Sequence, residues 1–330
     1  MGNLIVLFLV VIGCTLGLTV LAESILIPIL RSHKLGQKIL DIGPQWHKSK
    51  EGTPIMGGLG FILAILFVML VRILVQAKNG NAPADIPLAL TIAFGVANGI
   101  IGFIDDYAKL VKKQNEGLNW KQKLVLQFTV AAAYIAVMAY TGNYPLSWKI
   151  PFTSAVWNLG WVAYPIGAIL LVGVVNGGNL TDGIDGLFSS LVLVEAAYYA
   201  VLAFVVESEQ IAIPAAMLVG GAIGFLIFNF HPARVFMGDT GSLFFGGMVI
   251  ALAFQAGNPF TGLIVTLPLI FEMLSSFLQV IYFKASHGKR LFKMAPFHHH
   301  LEKSGWNEYQ IVAVFSLTNL LFCVLAWISH

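Results

Sequence analysis

The sequence predicts an all-α, polytopic integral membrane protein of about ten transmembrane helices with both termini outside. Three observations predict it. Of 330 residues, 58% are hydrophobic and only 11% charged, against roughly 25% charged in soluble domains. Apolar runs of about 20 residues, the length that crosses ~30 Å of hydrocarbon, recur along the whole chain. Lys and Arg also alternate between connections. With the N-terminus outside, 16 of the 19 fall on inward connections, and only Arg72, Lys78 and Lys149 on outward ones, as the positive-inside rule requires. Strands of a membrane barrel would show alternating segments of about ten residues, whereas these runs are continuous.

The first run, 3–30, ends at Arg31, and Glu23 near its inner end is expected to snorkel toward water. VIGC at 11–14 looks like a lipoprotein cleavage site, but MGNLIV lacks the basic start of a signal peptide. Spans follow at 55–75 and at 86–104, the latter closing on Asp105 and Asp106, then at 124–141, 157–175, 187–206, 211–230 and 241–257. The run at 260–283 is long enough to tilt or bend, and 309–328 is the last. Glu195 and Glu272 lie deep within spans, where an ionisable group is costly and faces the bundle interior or a wet groove. A proton path through them would suit an ion-coupled transporter. Such a protein is expected to bind its substrate near the bilayer midplane between inverted repeats, and no repeat is visible here. Cys14 and Cys323 fall within apolar runs, so neither a disulfide framework nor a zinc spacing is indicated. No linker divides the chain, and one membrane domain over residues 1–330 is expected.

The polar residues are distributed unevenly. The inward connections hold HKSKEGTPIMGG (47–58), GFIDDYAKL (102–110), NGGNLTDGIDG (176–186), NFHPARVFMGDTGS (229–242) and MAPFHHHLEKSGW (294–306), and the outward ones hold nothing comparable. This pattern points to a cytoplasmic site built by loops far apart in sequence. Asp105 and Asp106 are helical neighbours about 100° apart, so they should not both face one ion unless the helix unwinds. Asp105 could instead pair with Lys109 at i,i+4. Asp182, Asp185 and Asp239 fall on the same side, and five carboxylates repel one another unless a cation joins them. Mg²⁺ prefers one or two carboxylates together with waters and phosphate oxygens. GDTGS and NLTDG sit where helices begin, so their N–H groups could bind an anion or could simply be capped by Asp, Ser and Thr. Lys48 and Lys121 add positive charge. Neither a P-loop nor a dinucleotide fingerprint is present. The sequon Asn179-Leu180-Thr181 faces inward and is set aside. Three consecutive histidines, His298, His299 and His300, rarely point at one metal, and phosphate-facing roles suit their surroundings better.

GTPIMGG, GFIDDYAKL, NLTDGIDGL, FMGDTGSL and APFHHHLEKSGW, in this order and spacing, resemble the phospho-N-acetylmuramoyl-pentapeptide transferases, a branch of the polyprenyl-phosphate N-acetylhexosamine-1-phosphate transferases. The resemblance spans essentially the whole chain. It implies transfer of phospho-MurNAc-pentapeptide from UDP-MurNAc-pentapeptide to undecaprenyl phosphate, with release of UMP and a need for Mg²⁺. It also implies a homodimer in the bacterial plasma membrane, with the site on the cytoplasmic face and no nucleic-acid partner. Carried over by position, Asp105, Asp106, Asp239 and His298 are expected to be catalytic, with Asp239 the metal ligand. Lys48, Thr53, Lys121, Asn179, Asp182, Asp185, Asn229, Phe236, Gln279, His299 and His300 are expected to bind substrate. A sister enzyme moving GlcNAc-1-phosphate from UDP-GlcNAc to the same lipid is the nearest alternative, but APFHHHLEKSGW has the form of the pentapeptide branch.

Overall fold

Nine helices among the described residues are long and apolar enough to cross a membrane. The structure is a computed structural model that describes residues 2–32, 50–80, 85–112 and 117–329. In chain order it contains α1 (Gly2–Ser32), α2 (Gly58–Lys78), α3 (Ile86–Lys112), α4 (Trp120–Tyr140), β1 (Ser147–Lys149), β2 (Val156–Asn158), α5 (Ala163–Thr181), α6 (Leu187–Val205), α7 (Glu209–Asn229), α8 (Gly238–Gln255), α9 (Pro259–Val265), α10 (Leu267–Ala285), α11 (Phe297–Glu302) and α12 (Glu308–Ile328). The nine exclude α8, whose polar GDTGS opening dilutes its 18 residues. That helix nonetheless fills the eighth expected position.

Two expected spans are changed. The fifth does not begin at 157: Trp157 and Asn158 belong to β2, whose pairing with β1 sets Trp148 opposite Trp157. Trp148 is fully buried, packing edge-on against Phe254 and Phe260, so the strand is held by aromatic burial that helical periodicity does not reveal. The helix starts after this hairpin, with Pro165 in its first turn where no N–H is required, and runs on through Thr181. The ninth span is broken into α9 and α10 around Thr266. Pro268 there can neither donate to nor clear the carbonyl four residues back, and the Thr266 hydroxyl bonds the Gly262 carbonyl at 3.0 Å. Two starts on the site face are closed by reciprocal capping boxes, Asn119 with Gln122 and Asn307 with Gln310.

At the centre stands α8, buried at every residue from Thr240 to Phe254. In lipid no hydrophobic force draws helices together, so close van der Waals packing at small residues takes over. Gly95, Gly99 and Gly102 form one stripe of α3 at i, i+4, i+7 spacing, and α8 lies in it. A Cβ at Gly95 would come 2.6 Å from Met248 Cγ, one at Gly99 3.2 Å from Phe244 Cβ, and one at Gly102 would collide with the backbone carbonyl of Asp239. On another side Gly58 meets Gly241 backbone to backbone, and Phe61 stacks on Phe245 with centroids 4.0 Å apart.

Glu23 does not snorkel. It is wholly buried against Gly60 of α2, and neither carboxylate oxygen has a hydrogen-bond partner among the described residues. Its position on the α1 stripe Thr15, Thr19, Glu23 and Ile27 turns it inward, and the side chain is too short to climb out past α2. Chain alternation brings the ends of α1, α3, α5, α7 and α10 and the starts of α2, α4, α6, α8 and α12 to one face. At the opposite face Arg72 bonds Asp85 at 3.0 Å and Glu209 at 2.8 Å, ahead of α3 and at the start of α7.

Gly102→Ala is expected to destabilise the protein by about 1–3 kcal/mol, the usual cost of overpacking, because the added methyl meets backbone that cannot rotate away. Gly17→Ala, where nothing lies within 4 Å, provides the control. Melting of both in the same detergent checks this, and equal melting temperatures would show that the α3–α8 contact is slack.

Candidate active site

The tight seat of α8 on α3 creates a carboxylate centre. Asp106, one turn beyond Gly102, accepts the Thr240 N–H at 2.9 Å, the Asp239 N–H at 3.2 Å and the Thr240 hydroxyl at 2.7 Å. It thus caps α8 from a different helix, satisfying N–H groups that a helix start leaves open. Of the two readings open for GDTGS, anion binding and capping, capping holds for the Asp239 and Thr240 amides, and the cap is a carboxylate of α3. Asp105 accepts the Leu118 N–H at 2.8 Å and pairs with Lys109 at 2.5 Å, so the i,i+4 pair is real. Asp239 is bonded by Lys123 at 2.5 Å and by Asn179 Nδ2 at 2.9 Å, with Lys109 at 3.4 Å.

Asp105, Asp106 and Asp239 offer oxygens within 4.8 Å of one another and could hold a metal ion. α3 stays helical through Asp105 and Asp106, and Asp239 of α8 supplies the third oxygen. Asn179, expected in a loop, sits on the last turn of α5 and also bonds Ser242 Oγ at 2.8 Å. Asp182 caps that helix. Its carboxyl is held well above the usual carboxylate range, by desolvation first and then by the charges of Asp239, Asp106 and Asp185. Among the described residues only Lys109 and Lys123 stand against the carboxylates of Asp105, Asp106, Asp182 and Asp239, a balance that a bound cation would improve.

Asp185 belongs to a second cluster. It bonds Lys50 at 2.7 Å, His231 Nδ1 at 2.9 Å and the Ala233 N–H at 2.9 Å, while Glu308 takes Lys50 at 2.7 Å and the Asp185 N–H at 3.0 Å. Asp185, His231 and Glu308 have metal-ligand spacing, but the Lys50 ammonium already lies among them. Asn229 is buried nearby, accepting the Gly186 N–H at 3.1 Å and donating to the Val235 carbonyl at 3.0 Å. Phe236 donates its N–H to the Pro54 carbonyl at 2.8 Å, and its own carbonyl accepts the Gly57 N–H at 2.9 Å, which ties GTPIMGG to FMGDTGSL. Thr53 is half-buried in the turn made with Lys50.

The histidine segment closes the site. His298 is fully buried against Gly183, next to Asp182, and its ring faces Glu272. His299 packs on it and bonds Glu302 at 2.6 Å. His300 turns to its own loop, accepting the Lys293 N–H at 3.1 Å and stacking on Phe297. Gln279 is likewise taken up by backbone, accepting the N–H groups of Leu291 and Phe292 at 3.1 and 2.9 Å. Lys121 is exposed over the Trp120 ring, away from the carboxylates. Lys48 lies outside the described residues.

The model of the family described as glycosyl transferase family 4 matches residues 88–257, the stretch from α3 through α8. The chain is also 40% identical over 321 residues to the phospho-N-acetylmuramoyl-pentapeptide-transferase of Bacillus subtilis, covering 97% of this chain and 96% of that one. The enzyme of the same name from Halalkalibacterium halodurans is 43% identical, with 94% and 93% covered, and that from Bacillus licheniformis is 41% identical, with 97% and 96% covered. The chain belongs to the phospho-N-acetylmuramoyl-pentapeptide transferase family.

Lys123, Lys50, His231 and Glu308 carry no site role in the sequence pattern, nor does Glu272 as a partner of histidine. Lys123 was within reach. Residues 123, 127, 131 and 134 repeat at i, i+4, i+8, i+11, and Gln127, Ala131 and Tyr134 are buried, so Lys123 shares the inward stripe while Lys121, two residues earlier, points away. Glu272, a proton-path candidate by its depth in the span, is instead bonded to His298. Lys123→Gln should lower turnover about tenfold or more, since a charge-assisted bond carries ~1.5–3 kcal/mol. Lys121→Gln should change it by less than about twofold. Steady-state rates of the two variants decide, and equal losses would remove Lys123 from its special place.

Proposed function

We propose that this chain transfers phospho-MurNAc-pentapeptide from UDP-MurNAc-pentapeptide to undecaprenyl phosphate and releases UMP. The observation that carries this is the meeting of Asp105, Asp106, Asp182 and Asp239 with Lys109 and Lys123 at the ends of membrane helices, in a chain closely related to enzymes of that name. A lipid phosphate and a soluble nucleotide sugar are each confined to one side of the membrane surface, so their reaction needs a site at that surface. The bias of Lys and Arg toward the site face supports a cytoplasmic site with both termini outside, in a bacterial plasma membrane. Residues 1–330 form one transferase domain in this proposal, and two copies form a homodimer.

Mg²⁺ is the cofactor we propose, with Asp239 as the principal ligand and Asp105 and Asp106 beside it. The donors are all hard carboxylate oxygens, the set that suits Mg²⁺. When bound, the ion offsets repulsion between the two phosphates and stabilises charge on the departing UMP. The protein groups supply position and charge, as in other phosphoryl transfers. Asn179, Lys109 and Lys123 fix Asp239. Asp105 is engaged by Leu118 and Lys109, which favours a positioning role over that of a base. The lipid phosphate needs no base, because a monoester with a second pKa of about 6 is largely dianionic near neutrality. It attacks the sugar-bearing phosphorus in one step, forming one P–O bond as the bond to UMP breaks.

Purified protein in detergent with undecaprenyl phosphate and Mg²⁺ should release UMP from UDP-MurNAc-pentapeptide and not from UDP-GlcNAc. EDTA or Asp239→Ala should abolish it. Release from UDP-GlcNAc alone would move the protein to the sister branch, and silence with both substrates from well-folded protein would overturn the assignment.

A further inference from the structure

His298 is held by one carboxylate at two points. Glu272 Oε1 accepts its backbone N–H at 3.1 Å, and Glu272 Oε2 lies 3.1 Å from its ring Nδ1. Ser275, three residues along α10, accepts the Phe297 N–H at 3.1 Å and donates to the Glu272 carbonyl at 2.7 Å. Two N–H groups that begin α11 are thus satisfied by two side chains of α10. Both Glu272 and His298 are wholly buried.

This geometry fixes more than a backbone. A carboxylate can only accept, so the hydrogen must sit on Nδ1, and Nε2 is the nitrogen left to act. Nε2 is buried and has no hydrogen-bond partner among the described residues. It rests against Gly183, where a side chain would collide with the ring, and Gly183 adjoins Asp182 of the carboxylate centre. A buried polar atom ordinarily has a hydrogen-bond partner, and Nε2 lies beside the carboxylate centre, where a polar substrate group could supply one.

We infer that Glu272 is a positioning residue. Its carboxylate sets the ring orientation and tautomer of His298 so that Nε2 is presented to the phosphate-bearing substrate at the Asp182–Gly183 turn. The role rests on the transferase function proposed for this chain. Glu272 is wholly buried and its carboxylate is engaged by His298 at both oxygens, so its role is exerted through that ring. The arrangement parallels metal-bound histidines, whose distal nitrogen is oriented by a carboxylate, but here the oriented nitrogen faces substrate.

Glu272→Gln is the informative variant, because the amide keeps one acceptor oxygen for the His298 N–H and turns its NH₂ toward Nδ1. The turnover number should fall about 10–100-fold, the usual loss for an orienting partner, with KM for the UDP-sugar unchanged within about twofold and melting preserved. Placed in a His298→Ala background, Glu272→Gln should cost nothing further. The ¹⁵N spectrum of the His298 ring, assigned by its loss in His298→Gln, should show Nδ1–H in the wild type and a shift to Nε2–H in Glu272→Gln. That spectrum needs no substrate, so it tests the positioning even if UMP release from wild-type protein fails and takes the transferase assignment with it. Wild-type turnover in Glu272→Gln, multiplicative losses in the double variant, or an unchanged tautomer would each overturn the role.

Discussion

Asp106 capping the first turn of α8 is the contact on which both fold and site depend. A helix start leaves N–H groups without partners inside the helix. Here a carboxylate from α3 satisfies those of Asp239 and Thr240, and Gly102 allows the two backbones to come close enough. The same seat puts Asp239 beside Asp105 and Asp106. One residue therefore ends one structural problem and begins the chemistry, which is why the charged centre can lie at the end of the most deeply buried helix.

The centre is electrostatically unfinished. Lys109 and Lys123 approach Asp239 and Asp105, yet among the described residues Asp182 is surrounded by the charges of Asp239, Asp106 and Asp185. Such an arrangement is costly in the resting protein and becomes favourable when positive charge enters. The second cluster is a crosslink. Lys50 bridges Asp185 and Glu308, which ties the α5–α6 turn to α12, and His231 and Ala233 of the α7–α8 connection join it at Asp185.

Much of this was legible in the sequence because it is written in local terms. Hydropathy located the spans, Lys and Arg marked the site face, and the polar segments that line it stood out by composition alone. What was not legible depends on partners distant in sequence. That Asp106 caps α8 requires knowing that Gly102 meets residue 239. That Gln279 and His300 serve loop backbone depends on how residues 290–297 fold back over α10. Glu23 looked free to snorkel because nothing in α1 announces Gly60 opposite it. Aromatic burial of Trp148 displaced the start of α5 because a three-residue strand carries almost no periodic signal.

The crosslink at Lys50 has a consequence for biogenesis. Its bond to Glu308 joins residues 258 positions apart, one just before the second helix and the other at the threshold of the last. A nascent chain inserting from the N-terminus holds Lys50 and Asp185 long before Glu308 has left the ribosome. The turn that carries Asp182, Gly183 and Asp185 therefore acquires its final restraint only when α12 has entered the bilayer. Completion of the site is thereby coupled to synthesis of α12, and a polypeptide arrested before that helix would hold most of the preceding helices without the finished mouth.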